Sequence, residues 1–292
     1  MRISIYGKAF NPEFHPYLNK LFVRLRKENI SVSIYQPFND FINSETKCDT
    51  ESFSLFNNQT DLPNDTNFMV SIGGDGTFLE TITFVKDKRI PIIGLNSGRL
   101  GFLANIAKED IDSAFDAILE NRFTYEFRTL IELKSPSGVF SGYNVALNEV
   151  TIQKKDSKMI VVHAYLDNEF LNSYWTDGLI ISTPTGSTAY SLSVGGPIVI
   201  PASNNFIIAP IASHNLTVRP IVIPDNMELT LKVDGRFDKY LLTLDNRTKE
   251  LDKLTEVILR KSKFQIKMLQ LHNNNFYNTL RNKLMWGIDK RN

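Results

Sequence analysis

A mostly apolar run at residues 68–72 stops at Gly73-Gly74-Asp75-Gly76-Thr77, and residues 77–85 then follow helix periodicity. A buried strand that turns through glycines into a helix constrains the fold strongly. Its helix is the natural crossover to a second parallel strand, and parallel sheets need both faces covered. The neighbouring segments agree. Residues 3–6 are a short apolar run ending at Gly7, and 31–35 is strand-like, with Val32 and Ile34 on one side. Between them, residues 16–28 carry Leu18, Leu21, Phe22 and Leu25 at the three-and-four spacing of one helix face. A second buried strand over 90–95 ends near Asn96, and a helix is predicted over 109–119. Alternation at this spacing predicts an α/β domain with a Rossmann-like parallel sheet over residues 1–122. Residues 40–66, rich in Asn, Asp, Ser and Thr and without a period, read as a surface loop. It is either a solvated connector or a lid over a bound nucleotide.

Beyond residue 122 the pattern changes. Segments 123–133, 143–153, 159–166, 218–223, 227–233 and 240–244 read as strands separated by turn residues. They predict a mostly antiparallel, β-sandwich-like domain over 123–270. Residues 271–292 end the chain, with Phe276, Leu280, Lys283 and Leu284 at helix spacing, and are expected to form a helix that packs back on the first domain. The 292 residues are 42% apolar and 22% charged, enough to bury sizeable cores. A net charge of +1 gives no global attraction to nucleic acid or an anionic membrane. No apolar stretch reaches the roughly 20 residues that span a bilayer, and the first residues lack the apolar core of a signal peptide. Cys48 is the single cysteine, so no internal disulfide can form and a cytoplasmic setting is expected.

Two segments concentrate chemistry. At 73–77, glycines let the backbone approach a ligand, and the following helix start offers N–H groups and a positive dipole end to a phosphate. Gly73, Gly74, Gly76 and Thr77 are the candidate phosphate binders, at the carboxyl end of a strand where open α/β sheets collect ligands. The spacing is neither that of a P-loop nor that of a dinucleotide fingerprint. Alone, it could also be a plain chain reversal. The second segment runs from Asp177 through Pro184-Thr185-Gly186-Ser187-Thr188-Ala189-Tyr190 to Ser193. It crowds hydroxyls and N–H groups at one short helix start beside a tyrosine, which suits the many polar edges of a nucleotide. An N-cap with ordinary turn residues accounts for Ser187 but not for that density. No nucleophile elbow surrounds Ser187, which excludes a serine hydrolase. His15, His163, His214 and His272 show no metal-ligand spacing.

With these residues in view, the chain resembles the NAD kinases, in the superfamily shared with diacylglycerol kinases and 6-phosphofructokinases. The Gly-Gly-Asp-Gly turn occurs across that superfamily, while residues 177–197 match the NAD kinase signature specifically. Asn148-Glu149, the segment 95–103 and the ending 279–286 match further family motifs, so that only 40–66 falls outside the likeness.

The resemblance implies transfer of a phosphoryl group from ATP, or another donor such as polyphosphate, to the 2′-hydroxyl of the adenosine ribose of NAD, giving NADP. It makes Asp75 the catalytic residue, facing that hydroxyl, and places Gly76 against the dinucleotide. Asn148 and Glu149 would contact adenosine and ribose, and Phe102 would lie near the adenine. Asp177 would hold the nicotinamide side, with Thr188, Ala189, Tyr190, Ser191, Leu192 and Ser193 lining the pocket. Lys158 would have a minor binding role. Trp175 stands where bacterial relatives often carry Arg, and Arg236 where Gln is common. A divalent ion, Mg²⁺, would arrive with the donor, and the chain would form a homodimer or homotetramer. Because the pKa of an ordinary aspartate is near 3.9, Asp75 would orient the hydroxyl first and collect its proton late. Two alternatives stand beside this one: a lipid kinase of the diacylglycerol kinase type, and a non-catalytic dinucleotide sensor.

Overall fold

The computed structural model describes residues 1–271 and 275–287. The chain divides into two compact units, Met1–Phe127 with Ile266–Asn292, and Arg128–Gln265. The first begins with β1 (Arg2–Gly7), α1 (His15–Lys27), β2 (Ser31–Tyr35), α2 (Gln36–Glu45) and β3 (Ser54–Phe56). It continues through β4 (Phe68–Gly73), α3 (Asp75–Val85), β5 (Ile92–Asn96), α4 (Ile111–Leu119) and β6 (Phe123–Arg128). The second unit holds β7 (Ile131–Ser135), β8 (Val145–Ala146), β9 (Glu149–Lys154), β10 (Ile160–Leu166), β11 (Glu169–Thr176) and β12 (Gly178–Ser182). After the short α5 (Tyr190–Ser193) come β13 (Asn205–Ile211), β14 (Ile221–Pro224), β15 (Leu229–Asp234), β16 (Lys239–Leu244), β17 (Arg247–Asp252) and β18 (Val257–Lys261). The first unit is completed by β19 (Ile266–Leu271) and α6 (Phe276–Leu284).

In the first unit, seven strands lie in the order β3-β2-β1-β4-β5-β19-β6, parallel from β3 through β19. The chain builds outward from β1 to β3 and restarts on the other side of β1 with β4. That reversal sets Gly7 beside Ile72, so the carboxyl ends of β1 and β4 flank a topological switch point, where ligands of open α/β sheets bind. Leu18, Leu21, Phe22 and Leu25 of α1 are buried against this sheet's core, as their spacing requires. The helix at the chain end packs on this unit: the Phe276 ring lies 6.1 Å from that of Phe102. Its start is capped by Asn275, whose side chain accepts the Asn278 N–H at 2.9 Å.

Three expectations change here. Residues 40–66 do not form an unstructured loop. Residues 40–45 of α2 and all of β3 fall within them, with Ile42, Phe53, Phe56 and Leu62 buried. Their apolar side chains are too sparse to show a period, and their burial depends on distant partners such as Phe22, 5.0 Å from the Phe53 ring. Residues 123–133 are two strands in different sheets, β6 and β7. And β6 and β19 belong to the seven-stranded sheet, so the antiparallel region is shorter than 123–270. Alternation with period two is the same whichever sheet a strand joins, so the pattern could not choose the partner.

The second unit has two six-stranded sheets, β11-β10-β15-β18-β7-β8 and β14-β13-β12-β9-β16-β17, antiparallel at every defined pairing. One core, including Ile131, Val162 and Leu231 from the first sheet and Ile152, Leu179 and Leu242 from the second, lies between them. Among the described residues no helix is long and apolar enough to cross a membrane.

Candidate active site

Asp75 is the first residue of α3, directly after the glycine turn. Its carboxylate is bound by three consecutive backbone donors: the Phe102 N–H at 2.9 Å to Oδ2, and the Leu103 and Ala104 N–H groups at 2.9 and 3.0 Å to Oδ1. The 96–104 loop is shaped for this contact. Asn96 donates from Nδ2 to the Arg99 carbonyl at 2.6 Å and accepts the Gly98 N–H at 2.7 Å. A side chain at Gly101 would place its Cβ 1.9 Å from Asp75 Oδ1, so it would push the carboxylate out of this position. Lys283 of α6 brings its ammonium to 3.5 Å from Asp75 Oδ2 and 5.1 Å from the centre of the Phe102 ring. Gly74 and Gly76 are exposed, and nothing lies within 4 Å of a Cβ built on either. The α3 start leaves the Asp75, Gly76 and Thr77 N–H groups without intrahelical acceptors. Gly73, Gly74, Asp75, Gly76, Thr77 and Phe102 are thus neighbours in one unit.

Gly101→Ala is expected to abolish activity and to destabilise the fold by about 1–3 kcal/mol, the range for forced overpacking. Gly98→Ala, which meets nothing within 4 Å, should stay within about 0.5 kcal/mol of the parent. Urea melts and a turnover assay of the two variants check this pair.

In the second unit, β8 and β9 belong to different sheets, and the chain crosses between them at Leu147-Asn148. Asp245 accepts the N–H groups of Leu147 (2.9 Å), Asn148 (2.7 Å) and Glu149 (3.3 Å). Glu149 is buried, 8% exposed, and its carboxyl is pushed up to about 8, first by burial and then by the Asp245 charge; the Tyr190 N–H pulls the other way. Its Oε2 and the Ser191 hydroxyl are buried and have no hydrogen-bond partner within the protein.

The segment after β12 wraps this corner. Thr183 donates its hydroxyl to the Leu147 carbonyl at 2.6 Å and its N–H to the Asn148 carbonyl at 2.9 Å. Gly186 packs so close that a Cβ would lie 2.1 Å from the Asn148 oxygen. Ser187 staples the chain, accepting the Val199 N–H at 3.0 Å and donating to the Pro184 carbonyl at 2.7 Å. Its role is structural. Thr188, Ala189 and Leu192 are half-buried, and Tyr190 and Ser193 are exposed. The Tyr190 hydroxyl accepts from Gln153 Nε2 at 3.2 Å. Asp177 sits where the chain leaves β11 for β12, paired with Lys154 at 2.7 Å and 4.0 Å from His214 Nε2.

Trp175 is exposed on β11, and Lys158 is exposed in the turn before β10. Trp175 and Asp234, which precedes Gly235-Arg236, both face Val161 across neighbouring strands. His272 lies outside the described residues. Sequence reasoning missed Asp245, Gln153 and, as a neighbour of Asp75, Lys283, whereas Thr183 lies within the segment it singled out. Only Asp245 carries a local signal: Asp245-Asn246 is a two-residue turn between β16 and β17, with φ of 53° at Asp245, a conformation that Asp and Asn tolerate.

Comparison with known proteins gives the family. Residues 35–123 match the ATP-NAD kinase N-terminal domain, and residues 147–271 match the ATP-NAD kinase C-terminal domain. The NAD kinase of Cytophaga hutchinsonii is 43% identical over 293 residues, and that of Flavobacterium psychrophilum 44% over 295, each covering 100% of both chains. Among solved structures, yeast NADH kinase complexed with NADH shares the fold at a TM-score of 0.85 and 22% identity, covering 99% of this chain and 88% of that one. An NAD kinase from Archaeoglobus fulgidus in complex with ATP does so at 0.74 and 23% identity, covering 98% and 99%. The chain belongs to the NAD kinase family.

Proposed function

We infer that the protein catalyses ATP-dependent phosphorylation of NAD to NADP, with Asp75 orienting the acceptor hydroxyl and the Asn148-Glu149 corner and 188–193 segment holding the dinucleotide. The observation that carries the binding assignment is a row of polar groups along β9 and β12. Glu149 pairs with Ser182 at one end of the two strands and Gln153 with Gly178 at the other, next to Lys154 and Asp177. Glu149 and Gln153 lie on the same face of β9, four residues apart or roughly 13 Å, which suits an extended ligand rather than a single sugar. Tyr190 links the two ends, its N–H at Glu149 and its hydroxyl at Gln153. The unpartnered Glu149 Oε2 and Ser191 hydroxyl are the groups that ligand hydroxyls would satisfy.

In the reaction, O2′ of the ribose forms a bond to the γ-phosphorus while the bond to the β,γ-bridging oxygen breaks, and ADP leaves. Oδ1 of Asp75 already holds two N–H donors and Oδ2 holds one. Oδ2, the oxygen facing Lys283, therefore has the remaining acceptor capacity for the hydroxyl. A hydroxyl bound there competes with the Lys283 ammonium, which is then free to face the phosphoryl oxygens. The proton passes to Oδ2 late, as a loose transition state allows. Backbone N–H groups at the α3 start stabilise the transferring charge.

Among the described residues no three His, Cys, Asp or Glu side chains converge as a metal cage. A Mg²⁺ ion arriving on the donor phosphates would neutralise phosphate charge there. The buried, single Cys48 accords with a cytoplasmic setting, and a homodimer or homotetramer is the expected assembly, open to a sizing measurement.

The product identifies the reaction. With NAD, ATP and Mg²⁺, phosphorus NMR should show one new monoester at the adenosine 2′ position. Phosphorylation of diacylglycerol with NAD left unchanged would favour the lipid kinase instead.

A further inference from the structure

We propose that Asp245, at the tip of the β16–β17 hairpin, is a positioning residue that fixes the Asn148-Glu149 corner in the shape that receives the dinucleotide. The proposal rests on the assignment of that corner to NAD. Because Leu147 and Asn148 lie between strands of different sheets, their backbone groups have no ladder partners and must be satisfied another way. Asp245 takes the three N–H groups of residues 147–149 on its two carboxylate oxygens. Its own N–H returns to the Glu149 carbonyl at 3.0 Å. Thr183 takes the carbonyls of Leu147 and Asn148.

The corner's backbone is thus held from both sides, which leaves the Asn148 and Glu149 side chains for a ligand. The same hairpin reaches further back: Arg247, two residues on, donates to the carbonyls of Tyr143 and Val145. One turn therefore clamps the whole approach to the corner. Register explains why the hairpin tip arrives there. Leu244 pairs with Val150, so the next residue of the hairpin falls opposite Glu149.

Three donors on two oxygens call for a carboxylate. With an asparagine side chain in its place, one of the two oxygens would become an amide NH₂. Such a side chain can serve no more than two of these N–H groups without meeting the third donor to donor. Asp245→Asn should therefore loosen the corner in part, and Asp245→Ala should release it. Asp245→Ala is expected to raise KM for NAD about tenfold or more, the scale on which small misplacements act, and Asp245→Asn by a few-fold. KM for ATP should stay within about twofold in both, because the clamp touches only the dinucleotide side.

The experiment is steady-state kinetics of both variants against each substrate, with folding followed by thermal melts. If Asp245→Ala does not fold, Asp245→Asn decides alone. An NAD KM within twofold of wild type overturns the proposal. So does a fall in kcat with both KM values unmoved, which is the signature of lost folded protein. Wild-type protein that makes no NADP would instead overturn the assignment of NAD on which the proposal rests.

Discussion

Asp75→Asn is expected to lower kcat about 10³-fold while the Kd for NAD stays within about threefold. The substitution keeps the size of the side chain and one acceptor oxygen. That oxygen can still take the Leu103 and Ala104 N–H groups, so the 101–104 loop is not released altogether. The amide then faces the Phe102 N–H and Lys283, where the carboxylate had its remaining acceptor capacity. A bound ribose hydroxyl would find neither a negative partner to align it nor an acceptor for its proton. Both losses act in the transition state more than in the ground state, and so they fall on kcat rather than on binding. Rapid-quench turnover and calorimetric NAD binding separate the two quantities. A non-catalytic sensor would bind NAD equally well with and without this substitution, but its parent protein would have no turnover to lose. An Asp75→Asn variant that keeps wild-type kcat would remove Asp75 from the chemistry.

The second large effect concerns stability and pH. Glu149 keeps its proton up to about pH 8 in the folded protein, whereas its ordinary value is 4.5. Between those values the native state binds one more proton than the unfolded chain, so stability falls as pH rises through that window. Above about 8 both states are ionised and the loss is complete. For a group only 8% exposed the swing is on the order of 5 kcal/mol. Burial also raises the Asp245 carboxyl, a contribution of the same sign, so wild type alone cannot apportion it. Glu149→Gln does. It carries no titrating proton, and its stability should match wild type near pH 5 and exceed it above pH 8. Urea unfolding at three pH values measures this. Parallel wild-type and variant profiles would mean that Glu149 ionises normally. At neutral pH a protonated Glu149 also offers the ligand a donor, as suits a sugar hydroxyl oxygen.

Features set by near neighbours were legible in the chain. The strand, glycine turn and helix at 68–85 follow from local periodicity and from glycine's conformational freedom, and α1 shows its buried face by spacing alone. Asp75 could be picked out, yet not its surroundings. Its N–H donors lie 27 to 29 residues away and Lys283 lies 208 away, and no local pattern records such pairs. Asp245 was missed for the same reason. In sequence it is a turn aspartate, and only the register of β16 on β9 brings it to a corner nearly 100 residues earlier. The segment at 40–66 misled because its few apolar residues are buried by distant partners. Strands β6 and β19 were recognisable as strands, but a strand's alternation does not name its sheet.

The most direct test of the central claim is a coupled assay: purified protein with NAD, ATP and Mg²⁺, followed by a dehydrogenase that reduces only NADP. The account predicts reduced cofactor accumulating with time and enzyme concentration, and none when ATP is omitted. Absence of NADP with ATP and with every other donor tried, polyphosphate included, would contradict it.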